Sequence, residues 1–123
     1  MNEKKILIVE DDKWLAEQYA RVINMAGYDA TISLHALAAI NVIDDIHPIA
    51  IILDVLLTGS TAFTLLHELQ SYGDTGKIPV ILCTNLAAEF SIDDLKPYGV
   101  KRILDKTTMM PDDLVAALKS VLL

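Results

Sequence analysis

The chain has 123 residues, 53% of them hydrophobic, and its 17 acidic and 10 basic residues give a formal net charge of −7. This length and apolar content predict one globular domain with its own buried core. The acidic balance argues against a nonspecific nucleic-acid surface or an anionic-membrane surface, and it favours proteins, metal ions or small ligands as partners. The single cysteine, Cys83, lies in an apolar run and is expected to be an inert core residue.

No segment has the features of a secretion signal or a membrane span. The first apolar run begins only at Ile6, and no uninterrupted apolar stretch approaches the roughly 20 residues that cross a bilayer. We therefore expect a soluble protein of the cytoplasm.

Five short runs rich in aliphatic or β-branched residues predict five strands. They are KILIVE ending at Glu10, YDATIS ending at Ser33, IAIILD ending at Asp54, IPVILCT ending at Thr84 and VKRILDK ending at Lys106. Four of these runs are apolar enough to be buried on both faces, as the strands of a parallel sheet are.

Segments of helical period alternate with these strands. Apolar residues recur at helical spacing from Leu15 to Ala26, and Pro111 opens a last helical pattern that runs to the end of the chain. Connections of this length predict right-handed β-α-β crossovers, and so an α/β fold with a doubly wound, five-stranded parallel sheet flanked by five helices. We expect residues 1–123 to form one domain, with no effector domain in this chain.

Polar side chains follow four of the predicted strands at the point where each strand ends. The set comprises Glu10, Asp11 and Asp12 after the first strand, Asp54 after the third, Thr84 after the fourth and Lys106 after the fifth. In an open parallel sheet, ligands bind at the carboxyl ends of the strands, so these groups are expected to converge.

Carboxylates brought together repel one another unless a cation intervenes, and oxygen ligands favour a hard ion such as Mg²⁺. A carboxylate beside Mg²⁺ can attack a phosphoryl group and form an aspartyl-phosphate. Thr84 as a hydroxyl donor and Lys106 as a cation would balance the charge on the phosphoryl oxygens. The pattern therefore predicts a magnesium-dependent phosphoryl acceptor at Asp54.

Each of these residues also has an ordinary structural interpretation. Taken alone, Asp54 is more often a strand-end residue than a nucleophile, and the acidic triplet at 10–12 is more often a solvated turn with a helix cap. Thr84 alone is a common turn residue, and Lys106 alone is a common surface cation. The functional interpretation rests on their joint occurrence at the ends of different strands.

The chain resembles the receiver domains of two-component response regulators, including the single-domain chemotaxis type, over essentially all of its length. The resemblance rests on ILIVEDD, on Pro48 six residues before Asp54, and on Thr84 five residues after Pro79 and 22 before Lys106. It implies a flavodoxin-like (βα)5 fold with strand order 2-1-3-4-5. It also implies a phosphorelay in which a phosphohistidine of a sensor histidine kinase or histidine phosphotransfer protein is the donor.

The same resemblance implies a magnesium site. Asp11 would bind the ion directly, Glu10 would help through water, and Asp54 with the main-chain carbonyl of Leu56 would complete the protein ligands. Asp12 would instead cap the first helix.

The resemblance further implies that Asp54 accepts the phosphoryl group. Thr84 would then grip a phosphoryl oxygen and move on activation, and Lys106 would pair with Asp54 or its phosphate. The expected output is altered binding to a downstream protein target or effector domain, without direct contact to nucleic acid or membrane.

The sequence departs from the family pattern at four positions. Thr58 stands where proline is usual, Ala62 where glycine is, Ile103 where an aromatic residue is and Thr107 where proline follows the lysine. These departures leave open a degenerate receiver, a protein-interaction module that works without phosphorylation.

A small phosphohydrolase of the haloacid dehalogenase type also uses a strand-end aspartate as nucleophile. That chemistry needs a second aspartate two residues after the nucleophile, and Leu56 occupies this position. We therefore expect a switch domain and not an enzyme.

Overall fold

Five strands and five helices alternate along the chain in the computed structural model, which describes residues 4–54 and 60–122, apart from the side chains of residues 37, 60 and 61. The strands are Lys5–Val9 (β1), Asp29–Ser33 (β2), Ala50–Asp54 (β3), Val80–Thr84 (β4) and Val100–Asp105 (β5). The helices are Lys13–Met25 (α1), Ala36–Ile46 (α2), Ser60–Gln70 (α3), Ile92–Leu95 (α4) and Pro111–Val121 (α5). Two 3₁₀ turns, Ala87–Glu89 and Lys96–Tyr98, flank the single turn of α4.

The strands form one parallel sheet in the order β2-β1-β3-β4-β5, which confirms the predicted fold class and strand order. Val9 pairs with Leu53 between β1 and β3, and Asp54 pairs with Cys83 between β3 and β4. The carboxyl ends of these three strands therefore meet at one edge of the sheet.

Helices cover both faces of the sheet, and the strand residues alternate between two apolar layers. Ala50 and Ile52 of β3 pack towards α1 and α5, whereas Ile51 and Leu53 pack towards α2, α3 and α4. Every residue of β3 and β4 is buried, as the continuous apolar runs predict. Burying each large aliphatic side chain contributes about 1.5–3 kcal/mol, so these central strands anchor the site at their ends.

Local signals in the sequence set the helix boundaries. Asp12 caps α1, because its Oδ1 accepts a hydrogen bond from the Leu15 N–H at 3.1 Å, as predicted. Beyond α1, Gly27 has a φ of +98°, a left-handed conformation that glycine adopts without steric penalty. Pro111 is the first residue of α5, where its missing N–H is not needed.

Two strands end one residue earlier than the sequence predicts, since β1 stops at Val9 and β5 at Asp105. The sheet hydrogen bonds nevertheless continue past both ends: the Glu10 N–H donates to Ser33 at 3.1 Å, and the Lys106 N–H donates to Thr84 at 3.0 Å. The backbone of these two residues is thus held by the sheet while their side chains belong to the site.

Within the described ranges, no helix combines the length and apolar content that a membrane span requires.

Candidate functional site

Two carboxylates lie side by side at the carboxyl edge of the sheet. Glu10 directly follows β1 and Asp54 ends the neighbouring strand β3, and only 2% and 8% of their respective surfaces are exposed. An ionised carboxylate in such an environment needs a nearby positive charge to remain stable.

Lys106, which follows β5, provides that charge to both carboxylates. Its Nζ lies 2.7 Å from Oε1 of Glu10 and 2.5 Å from Oδ1 of Asp54, and 12% of its side chain is exposed. The family resemblance implied that Lys106 pairs with Asp54 or its phosphate, and the structure places it beside Asp54. Its contact with Glu10 was not predicted, because nothing in the local sequence marks a pairing between residues 96 positions apart.

The pKa values of Glu10 and Lys106 reflect one ammonium shared between two buried acids. Burial and the nearby Asp54 raise the pKa of Glu10 to about 7, against the opposing effect of its hydrogen bond with Lys106. Burial by itself would lower the pKa of Lys106. Together, its contacts with Asp54 and Glu10 outweigh this effect of burial. The pKa of Lys106 is therefore raised, and the lysine stays protonated.

Asp11 completes an oxygen cluster that fits a divalent cation. Glu10, Asp11 and Asp54 can each offer one carboxylate oxygen such that the three atoms lie within 4.8 Å of one another, and Asp11 is exposed to solvent. Neither carboxylate oxygen of Asp54 receives a hydrogen bond of good geometry from the described residues. An oxygen-only donor set with open lone pairs suits Mg²⁺. The fourth predicted ligand, the carbonyl of Leu56, lies outside the described residues.

Two neighbouring acids, Asp12 and Asp105, are engaged elsewhere. Asp12 caps α1, and its N–H donates to Oε2 of Glu10 at 3.2 Å, which helps to fix the Glu10 carboxylate. Asp105 accepts hydrogen bonds from the N–H and the hydroxyl of Thr107 at 2.9 and 2.6 Å, and these bonds lower its pKa. Proline at position 107 has no N–H and so could not form this turn. Asp105 therefore does not compete for Lys106.

Thr84 is fully buried at the end of β4 and borders the site. Its hydroxyl oxygen accepts a hydrogen bond from the Leu86 N–H, and its carbonyl accepts one from the Lys106 N–H, each at 3.0 Å. Thr84 thus holds the backbone from which Lys106 reaches the two carboxylates.

Among the residues at which the sequence departs from the family pattern, Ile103 is half-buried and packs into the apolar layer beneath α2, α3 and α4. Ala62 is buried in the first turns of α3, in the same layer. Thr58 lies outside the described residues.

Tyr19, which falls within the helical pattern predicted from Leu15 to Ala26, lies close to this site. It is 7% exposed, and burial raises the pKa of its phenol, as do the nearby charges of Glu10 and Asp54. It forms part of the apolar layer beneath the acidic cluster, together with Cys83.

Comparisons with known proteins agree with this geometry. Residues 6–119 match the family described as the response regulator receiver domain. A curated relative, the phosphate regulon transcriptional regulatory protein PhoB of Pseudomonas aeruginosa, is 34% identical over 119 residues, which cover 97% of this chain and 52% of that protein. The chain therefore spans about half the length of this relative.

Solved structures show the same architecture. The chain aligns with a response regulator of Chloroflexus aurantiacus at 30% identity and a TM-score of 0.82, covering 97% of both chains. It also aligns with the chemotaxis protein CheY4 of Vibrio cholerae at a TM-score of 0.84, covering 95% of this chain and 97% of that one. At 20% identity, this second likeness is one of fold alone.

Proposed function

Because this chain belongs to the response regulator receiver domains of two-component signalling, we propose that it is a phosphoacceptor switch in which Asp54 receives the phosphoryl group. The donor is a phosphohistidine of a sensor histidine kinase or a histidine phosphotransfer protein. The output is a change in binding to a downstream protein target or to an effector domain outside residues 1–123, and these residues themselves contact no nucleic acid.

One observation supports this assignment most strongly. Asp54 ends a buried strand, and in the described part of the chain neither of its carboxylate oxygens accepts a hydrogen bond of good geometry. The ammonium of Lys106 nevertheless lies 2.5 Å from one of these oxygens. A carboxylate kept only for structure is normally hydrogen-bonded throughout when it is buried. Open lone pairs beside a cation are what a nucleophile towards phosphorus needs.

The transfer conserves atoms and charge in a simple way. A carboxylate oxygen of Asp54 forms a bond to phosphorus while the bond from phosphorus to the histidine nitrogen breaks, and the imidazole nitrogen keeps the electron pair and takes up a proton from water. Lys106 remains protonated because its raised pKa keeps it so, and its ammonium lies where charge accumulates on the phosphoryl oxygens. The Thr84 hydroxyl donates a hydrogen bond to one of those oxygens.

Glu10, Asp11 and Asp54, with the main-chain carbonyl of Leu56, are the residues that would hold Mg²⁺. The ion, when bound, neutralises charge on the phosphoryl oxygens during transfer. Glu10 already has a partner in Lys106 and Asp11 is exposed, so Asp11 is the carboxylate most open to the ion from solvent.

Phosphorylation adds negative charge and acceptor oxygens next to Lys106 and Thr84. Both residues connect directly to β4 and β5, so a shift at either is transmitted to the surface formed by α4 and β5. Ile103 lies in that region in place of an aromatic ring, so repacking there involves an aliphatic side chain.

Intact mass after incubation with acetyl phosphate and Mg²⁺ tests the proposal. The wild-type chain is expected to gain one phosphoryl group, and Asp54→Asn none. Asp44→Asn, which removes an exposed carboxylate of α2, is the matched control and is expected to react like wild type. Modification that persists in Asp54→Asn would refute the assignment of the acceptor.

The departures at Ile103 and Thr107 favour a second candidate, a receiver that binds partners without phosphate. NMR spectra with and without beryllofluoride and Mg²⁺ separate the two. Amide shifts that spread from Asp54 to β4 and β5 support the switch, whereas a spectrum that stays unchanged supports the phosphate-independent module.

A further inference from the structure

A groove lies between the carboxyl-terminal halves of α2 and α3. Because helices of this fold run antiparallel to the strands, the groove is at the opposite edge of the sheet from Asp54. It encloses about 260 Å³ and is lined by Ile40, Ile43, Asp44, Glu68, Leu69, Tyr72, Asp74 and Thr75. A smaller, separate cleft of about 120 Å³, next to His47 and Pro48, shares four of these residues and lies beside the groove.

The helix that forms one wall, α2, is unusually apolar for a helix on the outer layer. Its only polar residues are Asn41, Asp44 and Asp45, and the other eight are apolar. Ile40, Val42 and Ile46 are only partly covered by the rest of the described structure. Asn41, Asp44 and Asp45 share one polar stripe of the helix, and the apolar arc beside this stripe is wider than the rest of the described structure covers. This partly covered apolar surface is suited to a further partner.

Carboxylates surround the apolar floor of the groove. Asp44, Glu68 and Asp74 are exposed, and within residues 4–54 and 60–122 none of them forms an ion pair or accepts a side-chain hydrogen bond. Their charges are thus not neutralised internally, in contrast to those of Glu10 and Asp54. An acidic ring around an apolar floor is complementary to a basic group carried on an aliphatic stem.

The size of the groove favours side chains over a small-molecule ligand. Its volume lies below the roughly 300–1,000 Å³ of sites that take drug-sized ligands or cofactors. Tyr72 at its rim is 57% exposed, and exposed tyrosines are enriched at protein interfaces. The tyrosine ring also offers a face on which a guanidinium group can stack.

We propose that this groove docks a segment of a partner protein that presents an arginine beside an aliphatic side chain. The aliphatic side chain lies mainly on the partly exposed Ile40, over a floor closed by the buried Ile43 and Leu69. The guanidinium meets the carboxylates of Asp44, Glu68 and Asp74. Arginine suits the site better than lysine because its planar fork can bond two carboxylates and stack on Tyr72. This docking does not depend on phosphorylation at Asp54.

An NMR titration of the ¹⁵N-labelled chain with a capped pentapeptide, Gly-Leu-Arg-Leu-Gly, tests the proposal. We expect amide shifts concentrated in residues 40–47 and 68–75, and weaker binding at high salt. The double variant Asp44→Asn/Asp74→Asn is expected to weaken binding roughly five- to tenfold. The matched control, Glu17→Gln/Asp112→Asn, removes two exposed carboxylates elsewhere and is expected to change binding less than about twofold.

Several outcomes would overturn the proposal. They are the absence of shifts at millimolar peptide, shifts centred outside the groove, equal weakening in the control variant, and equal binding of a peptide with citrulline in place of arginine. Equal affinity for N-acetyl-arginine amide alone would instead indicate a small guanidinium ligand and would also refute docking of a segment. Because Asp54 is intact in every variant, the phosphorylation assay is unaffected by these results.

Discussion

Three carboxylates gather at each edge of the sheet, but they are arranged in opposite ways. At the carboxyl edge, Glu10 and Asp54 are buried and share Lys106, so one positive charge inside the molecule offsets part of their negative charge. At the amino edge, Asp44, Glu68 and Asp74 are exposed and leave their charge available to a partner. A buried acid must be neutralised by the fold itself, whereas an exposed acid contributes little to stability and can serve recognition.

The largest effect we expect is the protection of Cys83, which lies beneath the acidic cluster. Burial raises the pKa of this thiol to about 12 from 9.0. At pH 8 the reactive thiolate is therefore about a thousandfold scarcer than in an unfolded chain. The rate of reaction with Ellman's reagent should fall accordingly, and it should rise to that of a free thiol in urea.

An exposed thiol near the groove provides the comparison for Cys83. Ser71→Cys in a Cys83→Ala background is expected to react at the rate of a free thiol, because residue 71 is exposed. Rapid labelling of Cys83 in the folded wild-type chain would show that the apolar layer beneath the acidic cluster is not packed as described. Because its folded pKa is raised, the buried thiol contributes stability that is complete below about pH 9 and is lost as the pH rises towards 12.

Replacing Lys106 with methionine should lower the free energy of unfolding by about 3–5 kcal/mol, because two buried carboxylates lose their shared cation. Urea unfolding followed by circular dichroism measures this change. Glu10→Gln added to Lys106→Met should recover part of the loss, since it removes a buried acid that, without Lys106, must either stay unpaired or take up a proton.

Lys96→Met is the matched control for this experiment. Lys96 lies 3.6 Å from Asp93 in a surface ion pair with its side chain 65% exposed. Such a pair contributes about 0–1 kcal/mol, so its loss should be small. Equal destabilisation by both substitutions would mean that Lys106 does not hold the buried trio together.

Much of the fold could be predicted from the sequence, because the continuous apolar runs of β3 and β4 fit only strands buried on both faces. Asp54, Thr84 and Lys106 could be placed at one edge by the rule for parallel sheets, and Asp12 by its position before a helical pattern. The contact between Lys106 and Glu10 could not, because it depends on side-chain directions across four neighbouring strands. The groove was missed as well, since Asp44 and Asp74 resemble ordinary solvated residues until α2 and α3 bring them together.

The two acidic regions should also respond differently to Mg²⁺. If the cluster of Glu10, Asp11 and Asp54 binds the ion, a concentration 100 times the dissociation constant should raise the free energy of unfolding by about 2.7 kcal/mol. Asp11→Asn should reduce this gain, because a tenfold weaker site yields about 1.4 kcal/mol at the same concentration. The control Asp44→Asn/Asp74→Asn should keep the full gain in the free energy of unfolding. A smaller gain in this variant would mean that the ion binds at the amino edge of the sheet.

The smallest expected effect is the change in the free energy of unfolding when the carboxylates of the groove are replaced. Asp44→Asn/Asp74→Asn removes two exposed charges that have no cationic partner among the described residues, so the free energy of unfolding should change by less than about 0.5 kcal/mol. The change should be a slight gain at low salt, because mutual repulsion falls, and it should vanish at high salt as screening removes that repulsion. A loss above about 1 kcal/mol would mean that these carboxylates support the fold. An almost unchanged free energy of unfolding together with weaker peptide binding would instead show that these carboxylates serve partner recognition and not stability.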